Sequence, residues 1–314
     1  MNNFDPAALE CLAAIVEEDG FERAATRLSI TQSAVSQRLR ALESQVGTVL
    51  LVRTRPLRLT SAGQLLLKHT KMLRLIRADL ELELKELAPD TSSGTREESR
   101  ISIAINADSI ATWALPALDG LARQGLPIEI IADDQDFTHE RLREGQVLGC
   151  VTTLKAALRG CRVTPLGFMN YVAVAALEVV RDKLADMPLG KHNFRAVPFI
   201  AFNRKDDMQG EFVSKAFGLK GALLDKVYVP SSEGQVRAMR AGWGAAVLPE
   251  LLVQADIDAG TLVNICPDYA LPIALYWHCW NLQSDVLDRL SKALVASALQ
   301  DLSGGAALPK PAVL

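Results

Sequence analysis

The sequence lacks the features that mark several large classes of protein. Its five cysteines, Cys11, Cys150, Cys161, Cys266 and Cys279, are scattered and include no Cys-x-x-Cys pair, which excludes a disulfide framework and a cysteine-built zinc site. No apolar run reaches the roughly 18 residues that crossing a bilayer requires. The amino terminus has neither the basic residues nor the apolar stretch of a secretion signal. We therefore expect a cytoplasmic protein with reduced thiols and no membrane partner.

The common signatures of catalysis and of metal binding are also missing. The four histidines, His69, His139, His192 and His278, are dispersed and form no His-Glu-x-x-His motif. No Gly-x-Ser-x-Gly motif is present, and the glycines around Trp243 precede a strand rather than follow one, which predicts a tight turn instead of a phosphate loop. We expect no metal, no cofactor and no enzymatic activity.

Charge is unevenly distributed along the chain. The 314 residues carry a formal net charge of −3, with 49% hydrophobic and 23% charged residues, which excludes a disordered or collagen-like chain and predicts two or three ordinary domains. Residues 21–60 hold seven arginines against Glu22 and Glu43, a local charge of +5. A basic amino-terminal block on an acidic body indicates that this end contacts a polyanion. A solvated basic face without a partner is the alternative.

Apolar residues at helical spacing predict three short helices before residue 50. The third follows Thr31, a suitable N-cap, and its polar side carries Gln, Ser and Arg residues. Such side chains pair with base edges in the major groove, and arginines in the extended stretch 50–60 suit phosphates or the minor groove. The DNA-binding residues that we predict are Thr31, Gln32, Ser33, Ser36, Gln37, Arg40, Arg53 and Arg55. The alternative is an ordinary amphipathic surface helix.

A long helix is predicted over residues 62–87, with Thr60 or Ser61 at its start. Leucines recur every seven residues along it, which is typical of a helix that pairs with a second copy of itself. The dimerisation residues that we predict are Leu66, Leu73, Ile76, Leu80 and Leu87. The alternative is that the same stripe packs on its own domain.

The chain changes character after a polar stretch at 89–99 that has linker composition. From Ile101 onward, short apolar runs alternate with helix-like stretches, which predicts an α/β architecture with mostly parallel strands. About 200 such residues are enough for one large domain or for two small lobes.

Several motifs in the first 63 residues resemble the winged helix–turn–helix of LysR-type transcriptional regulators: GFERAATRL at 20–28, QSAVSQRL at 32–39, LE at 42–43 and LTSAG at 59–63. These regulators commonly carry Leu-Phe before the wing arginine, whereas this chain has Leu-Leu-Val before Arg53. In this respect the chain resembles the ArgP/LysG subgroup. Three further motifs carry the same resemblance: NADSIATW at 106–113, DDM at 206–208 and YWH at 276–278. The resemblance covers roughly residues 5–295.

The resemblance implies a fold with an all-α amino-terminal part and an α/β remainder. It comprises a winged helix–turn–helix, a long dimerising linker helix and a two-lobed effector domain like that of periplasmic binding proteins, with crossings between the lobes near 167–171 and 265–272. The boundaries that we expect are 1–60 for the DNA-binding domain, 61–88 for the linker helix, 89–100 for a hinge, 101–170 plus 266–302 for lobe I, 171–265 for lobe II and 303–314 for a flexible tail.

The resemblance also implies a function. Members of the subgroup sense lysine or arginine in the cleft between the lobes and control genes such as a basic amino-acid exporter, so the partners would be double-stranded DNA, an amino acid and further copies of the chain, as a dimer or a dimer of dimers. A regulator with a different effector, and a DNA-binding inhibitor of replication initiation, are alternatives. An enzyme or transport-type binding protein with an amino-terminal dimerisation module is another.

Candidate ligand residues follow the predicted strand ends. A helix that begins after strand 101–105 offers N–H groups and a hydroxyl to a ligand carboxylate, and acidic side chains suit an ammonium or a guanidinium group. Each of these Asp and Ser residues is alternatively a solvated helix cap. The effector-binding residues that we predict are Asn106, Asp108, Ser109, Asp133, Asp134, Phe202, Asp206, Asp207, Ser231 and Ser232.

Overall fold

A computed structural model describes residues 4–87, 100–133 and 138–304. Its helices are α1 (Pro6–Glu17), α2 (Phe21–Arg27), α3 (Gln32–Val46), α4 (Ser61–Leu87), α5 (Ala107–Ser109), α6 (Leu115–Arg123), α7 (Thr138–Arg143), α8 (Leu177–Leu184), α9 (Met208–Phe217), α10 (Ser232–Arg240), α11 (Glu250–Asp258) and α12 (Asp285–Asp301). Its strands are β1 (Leu51–Val52), β2 (Arg58–Leu59), β3 (Ile101–Asn106), β4 (Ile128–Asp133), β5 (Gly149–Thr152), β6 (Cys161–Ala176), β7 (Phe199–Ala201), β8 (Lys226–Tyr228), β9 (Ala245–Pro249), β10 (Leu262–Asn264) and β11 (Leu271–Trp280).

The first three helices and the hairpin β1–β2 form a small unit that we call the head. Leu12, Val35 and Leu39 are buried in its centre, as their helical spacing requires. The hydroxyl of Thr31 accepts a hydrogen bond of 3.2 Å from the N–H of Ala34 and so caps the start of α3. The predicted helix–turn–helix with its wing is therefore present.

The wing is fixed to the start of α4 by a close backbone approach. Thr60 caps this helix, because its hydroxyl accepts from the N–H of Gly63 at 3.1 Å, and its own N–H donates to the carbonyl of Leu50 at 3.0 Å. A Cβ atom at Gly63 would lie only 2.1 Å from that carbonyl oxygen, so only glycine fits there. The helix begins one residue earlier than the sequence pattern predicted.

The remainder is an α/β unit built on one continuous sheet in the order β4-β3-β5-β11-β6-β9-β7-β8, with β10 also paired to β6. Lobe I comprises β3, β4, β5, α6, α7 and α12, and lobe II comprises β7–β10 and α8–α11. The long strands β6 and β11 run between the lobes and pair with each other from Leu271 opposite Tyr171 to Trp280 opposite Cys161. A cleft between the lobes, where the resemblance implies a ligand, lies beside Tyr171 of β6.

The expectation of mostly parallel strands is wrong. Among the described residues, β3 pairs in parallel with β4 and β5, and β7 with β8 and β9. The pairs β6–β11, β5–β11, β6–β9 and β6–β10 are antiparallel. The sheet is mixed because the two strands that connect the lobes, β6 and β11, run in opposite directions. Each of their neighbours β5, β9 and β10 is antiparallel to the connecting strand with which it pairs.

Helix α4 packs against both the head and lobe I. Leu66 is buried in the core of the head, whereas Leu75 and Ala78 are buried in the core of lobe I. The carboxylate of Asp79 accepts 3.0 Å hydrogen bonds from the hydroxyl of Ser284 and the N–H of Val286 at the start of α12. The linker helix is thus a structural part of both units.

The chain ends and the linker are described only in part. Residues 89–99 of the expected hinge and 305–314 of the expected tail lie outside the described residues. Ser303, the first residue of that tail, exchanges two backbone hydrogen bonds with Phe168, so this residue belongs to the folded domain and not to a flexible tail. No helix in the described ranges is both long and apolar enough to span a bilayer.

Candidate nucleic-acid interface and ligand cleft

One side of α3 is exposed and polar. Gln32, Ser33, Gln37 and Arg40 lie on it, and Thr31 precedes it, while the opposite side packs into the head. The exposed side chains combine amide, hydroxyl and guanidinium groups, which are the donors and acceptors that read base edges in a major groove. The structure exposes all five positions, and their contact with DNA stays a prediction.

Ser36 departs from its predicted place on this surface. It is only 9% exposed, and its hydroxyl accepts a 3.1 Å hydrogen bond from the side-chain nitrogen of Gln32. The cause is its position beside Val35, at the edge of the buried stripe. Ser36 therefore orients Gln32 instead of presenting its own hydroxyl.

The basic block of the sequence separates into two groups of arginines. Arg23 donates to the carbonyl of Asp19 at 2.7 Å, and Arg27 pairs with Glu17 at 2.6 Å, so these two stabilise the head internally. Arg38 is half-buried, and its charge acts against the rise that burial causes in the pKa of the Cys11 thiol.

The other arginines are exposed and form no ion pair with any described residue: Arg40, Arg53, Arg55 and Arg58. The guanidinium of Arg53 lies 4.8 Å from the ring centroid of Phe21, which ties the wing to α2 and leaves the charge at the surface. Arg58 was absent from the predicted contact set, although the seven-arginine count included it. These four cations give the exposed end of the head its positive charge.

The cleft between the lobes is lined by side chains from both of them: Asn106, Ala107, Asp108, Tyr171, Phe202, Asp206, Met208, Gln209, Gln235, Val247 and Leu248. Four of these, Asn106, Asp108, Phe202 and Asp206, were predicted as ligand residues. The lining carries two carboxylates, and none of its residues is a lysine, an arginine or a histidine. It is an acidic cleft with an apolar floor.

Asp108 joins the two lobes. One oxygen of its carboxylate accepts from the hydroxyl of Ser232 at 2.6 Å, and the other accepts from the phenol of Tyr171 at 2.7 Å. Ser232 is the first residue of α10 in lobe II, whereas Tyr171 lies on the connecting strand β6. A negative charge at this helix start is favourable, because the free N–H groups carry partial positive charge.

Two buried amide oxygens near the cleft have no hydrogen-bond partner among the described residues. They are Oδ1 of Asn106, which is 3% exposed, and Oε1 of Gln209, which is 1% exposed. A buried acceptor without a donor costs free energy, so both positions favour a ligand that supplies N–H groups. Ser109 is fully buried behind the cleft, and its unpaired hydroxyl does not line it.

Other predicted ligand residues serve the local fold. Asp206 accepts from the N–H groups of Phe202 at 2.8 Å and Met208 at 2.9 Å, so its carboxylate also shapes the loop before α9. The side chain of Asp207 is 84% exposed and faces Lys226, outside the cleft. Ser231 caps α10 through the N–H of Gly234 at 3.1 Å.

Two further predicted positions are not described far enough to place them. Asp133 ends β4, but its side chain lies outside the described part, and Asp134 is outside it altogether. Sequence reasoning missed Tyr171, Gln209 and Gln235. No local signal marks these residues, because they lie on a strand and two helices that only the folded chain brings to the cleft.

Helix α4 carries an exposed apolar stripe. Leu73, Ile76 and Leu80 are 45%, 61% and 53% exposed, and Leu65 and Leu84 continue the same side. Leu66 is predicted for this stripe and lies on the same side of the helix as Leu73, but it is buried because the head packs against the start of α4. The side chain of Leu87 lies outside the described part. A row of large exposed apolar residues is typical of a surface that pairs with another chain.

Comparison with protein families matches both parts of the chain. Residues 6–64 match the family of bacterial regulatory helix-turn-helix proteins of the lysR type, and residues 94–302 match the LysR substrate binding domain. The chain belongs to the LysR family of transcriptional regulators. The predicted family and fold class are therefore confirmed. LysR regulators bind DNA and small-molecule effectors, so the enzyme alternative is wrong.

Individual LysR relatives match almost the whole chain. The transcriptional regulator LysG of Mycobacterium tuberculosis is 40% identical over 294 residues, 94% of this chain and 93% of the relative. The crystal structure of ArgP from Mycobacterium tuberculosis superimposes with a TM-score of 0.76 at 38% identity and covers 96% of this chain and 100% of its own. Full-length LysG from Corynebacterium glutamicum with bound effector Arg gives 0.67 at 35% identity and covers 95% and 99%.

Proposed function

We propose that this regulator senses a basic amino acid, lysine or arginine, in the cleft between its lobes and changes its DNA binding in response. The observation that carries the proposal is the charge of the cleft, which is lined by the carboxylates of Asp108 and Asp206 and, within the described part of the chain, by no cationic side chain. An ammonium or guanidinium group neutralises such a site, whereas a neutral or acidic ligand leaves its charge uncompensated.

The remaining groups of the cleft fit the rest of an amino acid. The amide oxygens of Asn106 and Gln209 supply acceptors for further N–H groups of the ligand. Asn106 precedes α5 without a side-chain bond to its first turn, so the backbone N–H groups there are available to an α-carboxylate. Val247 and Leu248 offer an apolar floor to the methylene chain. The bound Arg in LysG of Corynebacterium glutamicum supports this ligand class.

A ligand series on the full chain tests the proposed effector. L-Arginine and L-lysine are expected to raise the midpoint of thermal unfolding, because a ligand at a hundredfold excess over its dissociation constant stabilises the folded state by about 2.7 kcal/mol. L-Citrulline is the matched control, since it replaces the guanidinium with an uncharged group of almost the same shape. A shift of equal size with citrulline, or no shift with either basic amino acid, would contradict the proposal.

We also propose that α3 enters the major groove and that the wing contacts the backbone beside it. Arg40→Ala is expected to lower affinity for a specific operator by about tenfold to a hundredfold, because a good bidentate base contact provides about 1–3 kcal/mol of discrimination. Arg53→Ala is expected to weaken all sequences alike and to reduce the slope of log affinity against log salt by about 1. Titrations by fluorescence anisotropy at several salt concentrations measure both effects.

The control for these variants is Arg181→Ala on α8. Arg181 is an exposed arginine that pairs with Asp182 and lies far along the chain from the head. It is expected to leave the affinity and the salt slope unchanged. Equal losses on specific and random DNA for both Arg40→Ala and Arg53→Ala would contradict the assignment of base reading to α3.

The assembly and the target genes follow from the same proposal. We propose that two chains pair through the exposed stripe of α4, which presents two heads to successive major grooves, and that two such dimers join on DNA. The resemblance to the ArgP/LysG subgroup supports a basic amino-acid exporter gene as the target and a cytoplasmic location. A gel shift with DNA upstream of a neighbouring exporter gene, against a random fragment of equal length, tests the target.

A further inference from the structure

A buried cluster of charged and polar side chains lies where the head, α4 and lobe I meet. We call it the junction cluster, and its members are Glu10, Glu17, Lys71, Arg74, Ser102 and Glu129. Its central residue is Lys71, whose side chain is only 2% exposed. The ammonium of Lys71 pairs with the carboxylate of Glu17 from the head and donates to the hydroxyl of Ser102 in lobe I at 3.0 Å. One cation thus connects the two units.

The head side of the cluster is strongly ionised. Burial alone would raise the pKa of Glu17, but the charges of Lys71, Arg74 and Arg27 outweigh it and lower the pKa to about 2. Arg74 in turn contacts Glu10 at 2.5 Å and Glu17 at 2.8 Å. The carboxylate of Glu17 therefore carries its charge at neutral pH, and the buried cations Lys71 and Arg74 both pair with it.

The lobe I side of the cluster rests on two neighbouring strands. The hydroxyl of Ser102 on β3 donates to the carboxylate of Glu129 on β4 at 2.5 Å, and these two residues are register partners. A cavity of about 90 Å³ lies beside them, lined by Val16 and Leu67 on one side and by Ile131 on the other. Polar contacts therefore lie around a partly open cavity where the head and lobe I meet, and the apolar cores of the two units are separate clusters. Surfaces of this kind separate at lower cost than a packed core.

The same two strands lead to the ligand cleft. Strand β3 contains Ser102 near its start and Asn106 at its end, and Asp108 follows two residues later. The distance along the strand from Ser102 to Asn106 is about 13 Å. The hydroxyl that accepts from Lys71 and the residues at the cleft therefore lie on one strand and the helix that directly follows it.

We propose that the junction cluster is an intrachain latch that seats the head on lobe I and that β3 couples this seating to the ligand cleft. This inference rests on the proposed function, because it needs a ligand in the cleft. Seating and ligand binding then influence each other by the same factor, as linkage requires. The buried charges make the latch two-state, because Lys71 is either fully paired inside the junction or hydrated outside it.

The variant that tests the latch is Ser102→Ala in the full chain. It removes the bridge between Lys71 and Glu129 but leaves Lys71 paired with Glu17, so no buried cation loses its counter-ion. The matched control is Ser297→Ala on α12, which removes a hydroxyl that donates to the carbonyl of Trp113 at 3.0 Å in the same lobe. Hydrogen–deuterium exchange of the last turn of α1, and the ratio of DNA dissociation constants with and without millimolar L-arginine, are measured for both.

Ser102→Ala is expected to accelerate exchange in the last turn of α1 and to move the ratio of DNA dissociation constants toward one, each by about fivefold, a typical size for coupling between sites. Ser297→Ala is expected to match the wild type in both. Unchanged exchange in Ser102→Ala overturns the latch. Faster exchange with an unchanged ratio overturns the coupling to the cleft.

A wild-type chain that binds neither arginine nor lysine would refute the proposed function. The coupling between the latch and the cleft is then tested by an experiment without any ligand. Asp108→Ala removes the hydrogen bonds from Ser232 and Tyr171 beyond the end of β3. If β3 couples the two sites, exchange in the last turn of α1 changes in this variant without any amino acid present. Exchange equal to that of the wild type overturns the coupling.

Discussion

Ile76→Asp is expected to leave the chain monomeric and to abolish tight binding to a two-part operator. Ile76 lies in the middle of the exposed stripe of α4 and is 61% exposed in the single chain. In a symmetric dimer the substitution occurs twice, so the loss of two buried isoleucine side chains costs about 4 kcal/mol, or about a thousandfold in the dimer dissociation constant. The two buried carboxylates add to that cost.

Sedimentation velocity over a concentration series measures the change in assembly, and anisotropy with a complete operator measures the change in DNA binding. Leu223→Asp is the matched control, because Leu223 is 82% exposed and lies outside α4. It is expected to keep the assembly and the affinity of the wild type. A dimer of unchanged stability in Ile76→Asp would show that the stripe of α4 does not hold the two chains together.

The sequence predicted those parts of the molecule that depend on local spacing. The polar side of α3 could be identified because residues three and four apart share one side of a helix, and the cap at Thr31 depends on neighbours only. Asn106 and Asp108 could be identified because the first ends a strand and the second lies in the turn of helix directly after it. The error at Ser36 also has a local cause. Ser36 follows the buried Val35 at the edge of the apolar side of α3, where a small rotation of the helix decides whether a side chain is buried or exposed.

The parts that the sequence did not predict depend on contacts between distant segments. Tyr171 and Gln209 line the cleft because β6 passes beside it and α9 begins there, which no spacing within either segment reveals. Leu66 fits the heptad pattern but packs in the head, because α4 contacts the head at its start and lobe I further along. Asp207 fits the acidic pattern but points to solvent.

Removal of one negative charge from the cleft is expected to weaken ligand binding strongly. Asp108→Asn is expected to lower the affinity for L-arginine by about a hundredfold, because a hydrogen bond to a charged group contributes up to about 3 kcal/mol and the substitution removes the charge. The asparagine side chain keeps almost the same shape, and the hydroxyls of Ser232 and Tyr171 can still bond to its oxygen and nitrogen. The lobes therefore remain connected while the attraction for a cation falls.

Isothermal titration of the full chain with L-arginine and L-lysine measures the loss, and Asp182→Asn on the exposed face of α8 is the control. The control removes a carboxylate of the same type outside the cleft and is expected to keep wild-type affinity. Thermal unfolding without ligand separates a loss of binding from a loss of fold, since the two variants are expected to unfold at similar temperatures. Undiminished arginine affinity in Asp108→Asn would show that the cation binds elsewhere. A neutral amide attracts a guanidinium no more strongly than water does, so a guanidinium bound beside this position would lose affinity after the substitution.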